Sequence, residues 1–365
     1  MMKNQKRRVL LLGLGDLGSR IAQIIAERGM ANALKLASRG ASAGDLVQRL
    51  RRSTDCEVSG EKVDGLDPAG VTRLIADFEP DLIIQSASLL SPWALPECET
   101  APALGIVAAG FALQVSAQLP VVMTVMRAHK DLGLSCPVIN CSFPDLTHPI
   151  LKCCGLAPTA GIGNVAMIVR RLEEVRPEPQ RGRLRVIAHH AHVTPVLTGK
   201  SPATELPPPL AYENGRRLGK EQIYLQPGLA PGRQFNDLTA VTAIPLITGL
   251  LDASASVDTH APGVLGLPGG YPLRIRGGTI ELDLPGGISR EEAVDFNNVS
   301  ARADGVERIE KDGTLIYTEE AKRYASPWCA ELAEPLAPRD LEARFQVLQS
   351  FYQSCLRSSA RYPVL

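Results

Sequence analysis

Residues 8–18 read RVLLLGLGDLG, and the fold turns on this stretch. Arg8 to Leu12 is a short apolar run stopped by glycine, which reads as a buried strand. Asp16 to Arg28 has the apolar spacing of a helix and stops at Gly29. Between them, Gly13-Leu14-Gly15-Asp16-Leu17-Gly18 places three glycines in the spacing GxGxxG. The first permits a tight turn, the second lets the backbone approach a diphosphate, and the third lets strand and helix pack closely. The unpaired N–H groups at the helix start attract phosphate oxygens. The expectation is a βαβ unit that holds a dinucleotide through Gly13, Gly15, Asp16, Leu17 and Gly18.

The alternation continues outward. LKLAS (34–38) reads as a second strand, AGDLVQRLRR (43–52) as a helix and EVSGEKV (57–63) as a third strand. Asp67 is placed to cap a helix that opens with Pro68 and runs to Phe78, before the strand DLIIQS (81–86). A helix from Pro120 to Leu132 and the strand PVINCS (137–142) would complete a parallel, doubly wound sheet of Rossmann type. At the end of the second strand stand Ser38, Arg39 and Gly40, with no carboxylate to accept ribose hydroxyls. A guanidinium beside a hydroxyl suits a 2′-phosphate, so the expected cofactor is NADP(H). Ser86, Ala87 and Ser88 end the fourth strand and should border the nicotinamide ribose, with Trp93 beside the substrate.

After Asn164 the pattern changes. RLRVIAHHAHV, YPLRIR, TIELDL, VERIE and TLIYT read as strands, with hairpin turns at Gly277-Gly278 and Asp312-Gly313. Helices are expected over Asn236 to Leu251 and Arg290 to Ala303, the latter opened by a capping box from Ser289 to Glu292. Thr194 to Gly232 is rich in Pro and Gly and reads as an irregular excursion over the surface or a cleft. The division expected is a nucleotide domain at 1–145, an α+β substrate and dimerisation domain with a mixed or antiparallel sheet at 146–335, and a helical segment at 336–365 that packs back on the first domain.

The 365 residues carry 39 Lys and Arg against 39 Asp and Glu, so there is no basic excess for nucleic acid or an anionic membrane. Eight irregularly spaced cysteines do not suggest a disulfide framework and fit reduced thiols in cytoplasm. The uncharged stretch Ala101 to Met126 is long enough for a membrane span, but its Gly, Gln and Pro residues read as buried pieces of an α/β fold.

In the second half, His189, His190 and His192 are three of six histidines. Strand alternation would set His190 and His192 on one face, as proton donors or an anion-binding pair. Lys200, in Thr198-Gly199-Lys200-Ser201, and Tyr271 and Arg274, in GLPGGYPLR, are further candidates to face a ligand. Tyr271 joins the histidines as a catalytic candidate, and the two cations would clamp a carboxylate. Cys141 offers a nucleophilic thiol for a semialdehyde dehydrogenase. No spacing of ligands suggests a metal.

With the glycine fingerprint, Ser38-Arg39 and the loop Gly155 to Asn164 (GLAPTAGIGN) in hand, the chain resembles the saccharopine dehydrogenase-like group of NAD(P)-dependent oxidoreductases. In that group a Pro/Gly loop leads from the nucleotide domain to the substrate domain. Ala188-His189-His190-Ala191-His192 is similar to the histidine motif of dihydrodipicolinate reductases, although that family's lysine after the third histidine is Val193 here. The resemblance implies an acid–base role for the histidines and hydride transfer to or from an imine or amino-acid carbon. A homodimer acting on a small, carboxylate-bearing substrate is the resulting expectation. A protein that binds NADP(H) without turnover, as a regulator, is the reading from another class.

Overall fold

The computed structural model describes residues 7–40, 42–174, 176–177, 184–202 and 205–361. Its first half is a layered α/β unit: β1 (Arg8–Leu12), α1 (Asp16–Glu27), β2 (Ala33–Ser38), α2 (Ser42–Ser53), β3 (Glu57–Lys62), α3 (Pro68–Phe78), β4 (Leu82–Gln85), α4 (Ala101–Ala109), α5 (Val115–Asp131), β5 (Val138–Asn140), α6 (Pro144–Cys153) and β6 (Ala160–Gly161). The six strands are all parallel, in the order β3-β2-β1-β4-β5-β6. That is the order of a doubly wound nucleotide-binding sheet, whose ligands lie beyond the carboxyl ends of the strands where the order reverses, here between β1 and β4.

Local chemistry explains the elements. Asp67 accepts from the Ala69 amide and Pro68 takes the first position of α3, as its sequence signals. Both faces of the sheet are covered, so β1 and β4 are buried throughout apart from the half-buried Arg8, and Gln85 is the one buried polar residue in them. Pro120, expected to open a helix, instead lies inside α5, which starts at Val115 after a 3₁₀ turn at Phe111–Gln114. Apolar packing on nearly every face outweighs the one backbone bond that the proline forfeits. Phe111–Asp131 is long and apolar enough to cross a bilayer by composition, and it is mostly buried in the fold.

The remaining chain continues with α7 (Val165–Glu173), β7 (Leu184–Ile187), α8 (Val193–Thr198), β8 (Leu210–Glu213), β9 (Arg216–Arg217), α9 (Lys220–Ile223), α10 (Phe235–Thr242), α11 (Ile244–Leu251), β10 (Ser256–Pro262), β11 (Gly270–Arg276), β12 (Thr279–Leu282), α12 (Arg290–Ala301), β13 (Val306–Ile309), β14 (Leu315–Tyr317), α13 (Glu319–Cys329) and α14 (Leu341–Arg361). These strands form antiparallel sheets β10-β11-β12, β7-β8-β9 and β13-β14. The helix expected over Asn236 to Leu251 is two helices, broken at Ala243 just before Pro245.

Of three apolar cores among the described residues, two flank the parallel sheet and the third joins α7, β7, α8 and α10. Tyr271 and Leu273 of β11 and Leu246 and Ile247 of α11 share one with the α1 and α2 side of the sheet. Leu348, Phe351 and Cys355 of α14 and Tyr317 of β14 share the other with α3, α4 and α5. The sheet itself gains β6 from within the loop Gly155 to Asn164, beyond residue 145.

Candidate functional site

A cleft of about 920 Å³ runs along the carboxyl ends of the parallel strands, within the range of small-molecule sites. At one end are Gly13, Gly15, Asp16, Leu17 and Gly18, then Ser38, Arg39 and Gly40, then Ser86, Ala87 and Ser88; Trp93 borders the same cleft. All the residues singled out from the sequence as cofactor contacts therefore line one space.

The three glycines are needed for different reasons. Gly13 has φ +105°, and a Cβ there would sit 2.3 Å from the Ala87 nitrogen. A Cβ on Gly18 would lie 1.9 Å from the Gly13 carbonyl oxygen. Gly15 is different: a Cβ there meets no protein atom within 4 Å, so its glycine keeps the approach to the α1 amides clear. Asp16, in the first turn of α1, accepts from Arg20 at 3.0 Å and from Asn236 at 2.7 Å. Although burial opposes it, those bonds and the Arg20 charge hold its carboxyl below the usual range. Ser38 accepts from the Gly40 amide at 3.1 Å, and Arg39 is exposed and forms no ion pair among the described residues. Amide-rich helix start and glycine approach together fit a nicotinamide dinucleotide, with an exposed cation at the β2 end.

At the other end stands His190. The strand expected over 183–193 ends at Ile187 among its described residues, and His189 then caps a 3₁₀ turn, His190–His192, that leads into α8. Pro195 in the first turn of α8 is the local signal for this helix start. The turn separates the histidines. His190 lines the cleft, stacked on Phe111 at 5.0 Å between centroids and edge-on to Phe143 at 5.0 Å. Its Nδ1 lies 2.9 Å from Asp304, and its amide donates to Asp145 at 2.8 Å. Asn164 fixes Asp145 from the other side.

Asp304 is buried and also receives His189 Nδ1 at 3.1 Å. Burial alone would raise its pKa, yet the charge of His190 and hydrogen bonds from both histidines hold the carboxyl well below the usual range. Burial conversely tends to lower His190, and the Asp304 charge reverses this and raises it. With Nδ1 bound to Asp304, His190 presents Nε2, which has no protein partner among the described residues. A ring oriented and polarised by a carboxylate at one nitrogen can exchange a proton at the other. Asp304 is held by tight backbone packing: a Cβ on Gly110 (φ +112°) would lie 2.3 Å from its carbonyl carbon.

Other expected residues lie elsewhere. His192 accepts the His189 amide at Nδ1 (2.9 Å), donates from Nε2 to Pro207 at 2.8 Å and is fully buried, so burial pushes its pKa down to about 4. It shapes the turn and does not line the cleft. Tyr271 is a core residue with its hydroxyl bound to the Pro268 carbonyl at 2.6 Å, and burial raises its pKa. Arg274, on β11, is occupied by Asp283 at 3.1 Å, and Lys200 is exposed just after α8; neither lines the cleft. The pair of cations expected to clamp a carboxylate is thus not assembled there. Cys141 lines the cleft, but burial pushes its thiol up to about 12, which opposes the thiolate a nucleophile needs.

Asp304, Asp145, Phe111 and Asn164 carried no signal in the sequence as site residues. Asp304 lies 114 positions from His190 and reads locally as an acid before Gly305 at a helix end.

No family model matches the chain, and no curated protein matches it. Solved structures do. The apo malate dehydrogenase of Picrophilus torridus matches with TM-score 0.50 at 14% identity, covering 81% of this chain and 97% of that one. A lactate dehydrogenase from a Medee basin deep-sea metagenome library has TM-score 0.49, 12% identity and coverages of 82% and 96%. A lactate dehydrogenase of Eimeria maxima, solved with NADH and oxamate, has TM-score 0.46, 14% identity and coverages of 82% and 94%. At such identities the likeness to the Picrophilus enzyme is one of fold: a parallel Rossmann sheet followed by a second, antiparallel part.

Proposed function

We propose that this chain is an NADP(H)-dependent oxidoreductase that interconverts a carbonyl compound and its alcohol, with His190 as the acid–base group and Asp304 as its positioning residue. Fold alone does not assign an activity, so the reading rests on the site. The observation that carries it is that the Asp304-bound imidazole and the glycine-rich turn line one cleft. Gly13 to Gly18 would hold the diphosphate, Arg39 the 2′-phosphate, and Ser86 to Ser88 the nicotinamide ribose.

When bound, NADP(H) supplies or accepts a hydride. In reduction His190 Nε2 would give its proton to the carbonyl oxygen and be reprotonated from solvent. In oxidation neutral His190 takes the proton from the alcohol. Asp304 keeps the ring in one tautomer and stabilises the imidazolium. Phe111 and Phe143 fix its plane and keep water from that side.

The imine or amino-acid substrate suggested by the sequence has less support. A protonated imine requires no proton donor, and Lys200 and Arg274 do not line the cleft. The test is steady-state turnover followed by nicotinamide absorbance over a panel of ketones, aldehydes and their alcohols. Turnover that falls at least 100-fold in His190→Gln, with NADPH still bound, supports the assignment. Full activity in that variant refutes it.

A further inference from the structure

Resting on the oxidoreductase reading, we infer that the substrate is an uncharged, mainly apolar carbonyl compound or its alcohol, and not a carboxylate. Phe111 and Phe143 pack against His190, and Trp93, Phe235, Val107 and Val193 line the same cleft. Phe111 and Phe143 meet edge to face at 4.6 Å and are continuous with the imidazole, and Trp93 and Phe235 form a second edge-to-face pair at 6.5 Å on the cleft wall.

Charge points the same way. Among the described lining residues, the only Arg or Lys side chains are Arg39 and Arg233. Arg39 belongs to the β2 end. Arg233 stands at the mouth, ion-paired with Glu97, and its field reaches Asp16 in the first turn of α1. Near His190 the charged neighbours are Asp304 and, behind it, Asp145. Once protonated, His190 balances Asp304, and a carboxylate added there would have no counter-charge in a largely apolar space.

Several hydrogen-bond donors are also committed, and Gln114, whose side chain lines the cleft without a protein partner among the described residues, offers an uncharged amide and no counter-charge. Ser142 donates to Ala87 at 2.9 Å, Thr239 to Phe235 at 2.9 Å and Gln118 to Leu90 at 3.1 Å, while Asn164 donates to Asp145. A carboxylate needs several donors, whereas a carbonyl oxygen is served by one, His190 Nε2.

The matched probes are acetophenone and phenylglyoxylate, which differ by one carboxylate. The chain has two tryptophans, so Trp328→Phe leaves Trp93, in the cleft, as the fluorescent reporter. With NADP⁺ binding first established by calorimetry on the full chain, acetophenone is expected to quench Trp93 at a concentration at least tenfold lower than phenylglyoxylate. The same order is expected in kcat/KM with NADPH. Equal binding, binding of neither probe, or preference for phenylglyoxylate overturns the substrate class and leaves the dinucleotide reading intact. Failure to bind NADP⁺ overturns both.

Discussion

Asp304→Asn removes one charge while keeping the shape of a buried side chain. In the native chain the carboxylate lies 2.9 Å from His190 Nδ1. Taking charge centres about 4 Å apart and an effective dielectric near 20, their attraction is about 4 kcal/mol when the ring is protonated. The His190 side chain is 30% exposed, so solvent screens part of this, and about 2 kcal/mol is a reasonable net. The amide can also turn its NH₂ toward the ring and stabilise the wrong tautomer. Reduction at neutral pH should therefore slow by roughly 10²-fold or more, combining lost protonation with lost orientation. The native reduction rate should fall as pH rises through the elevated pKa of His190, above 6.5, and oxidation should rise over the same range. In Asp304→Asn both limbs should move to lower pH. An NMR titration of the His190 ring gives the same answer without cofactor or substrate. If that titration is unmoved in a folded Asp304→Asn protein, the carboxylate does not control the ring and the proposed pairing is wrong.

Other expectations are simpler. Gly15→Ala should leave thermal stability within about 0.5 kcal/mol of native but weaken NADPH at least tenfold, whereas Gly18→Ala should lower the melting temperature because its Cβ meets the Gly13 carbonyl; melting curves and calorimetry separate the two. Arg39→Ala should weaken NADPH by about 1.5–3 kcal/mol and leave NADH nearly unchanged, measured by calorimetry. Cys141→Ser should retain turnover, and iodoacetamide should modify the native thiol slowly below pH 9, since its pKa stands near 12. His192, with its folded pKa lowered to about 4, must stay neutral, so stability should be lost as pH falls from 6.5 toward 4. His192→Gln should flatten that part of the denaturation-versus-pH curve while costing about 1–3 kcal/mol at pH 7.5.

The nucleotide half was legible because its signals are local. A glycine spacing, a Pro68 after Asp67 and apolar runs of strand length each act within a few residues, and the structure places every expected cofactor contact on one cleft. Elsewhere long-range packing overrides local pattern. Pro120 reads as a helix start, yet α5 begins earlier because its apolar surface is buried nearly all round. The histidine run reads as strand, and only the 3₁₀ turn after Ile187 separates His190 in the cleft from His192 in the core. Tyr271 and Arg274 sit on a strand whose glycine-rich approach is explained by packing against Asn297 and Val165. Asp304 could not be read at all, since its role comes from contacts with a turn 114 residues away and from the close approach of Gly110.

The most direct measurement is a crystal structure with NADP⁺ bound. The diphosphate is expected against the amides at the start of α1, the 2′-phosphate on Arg39 and the nicotinamide in the space that His190 Nε2 borders. A dinucleotide seated away from Gly13 to Gly18, or a nicotinamide ring out of reach of His190, would contradict it.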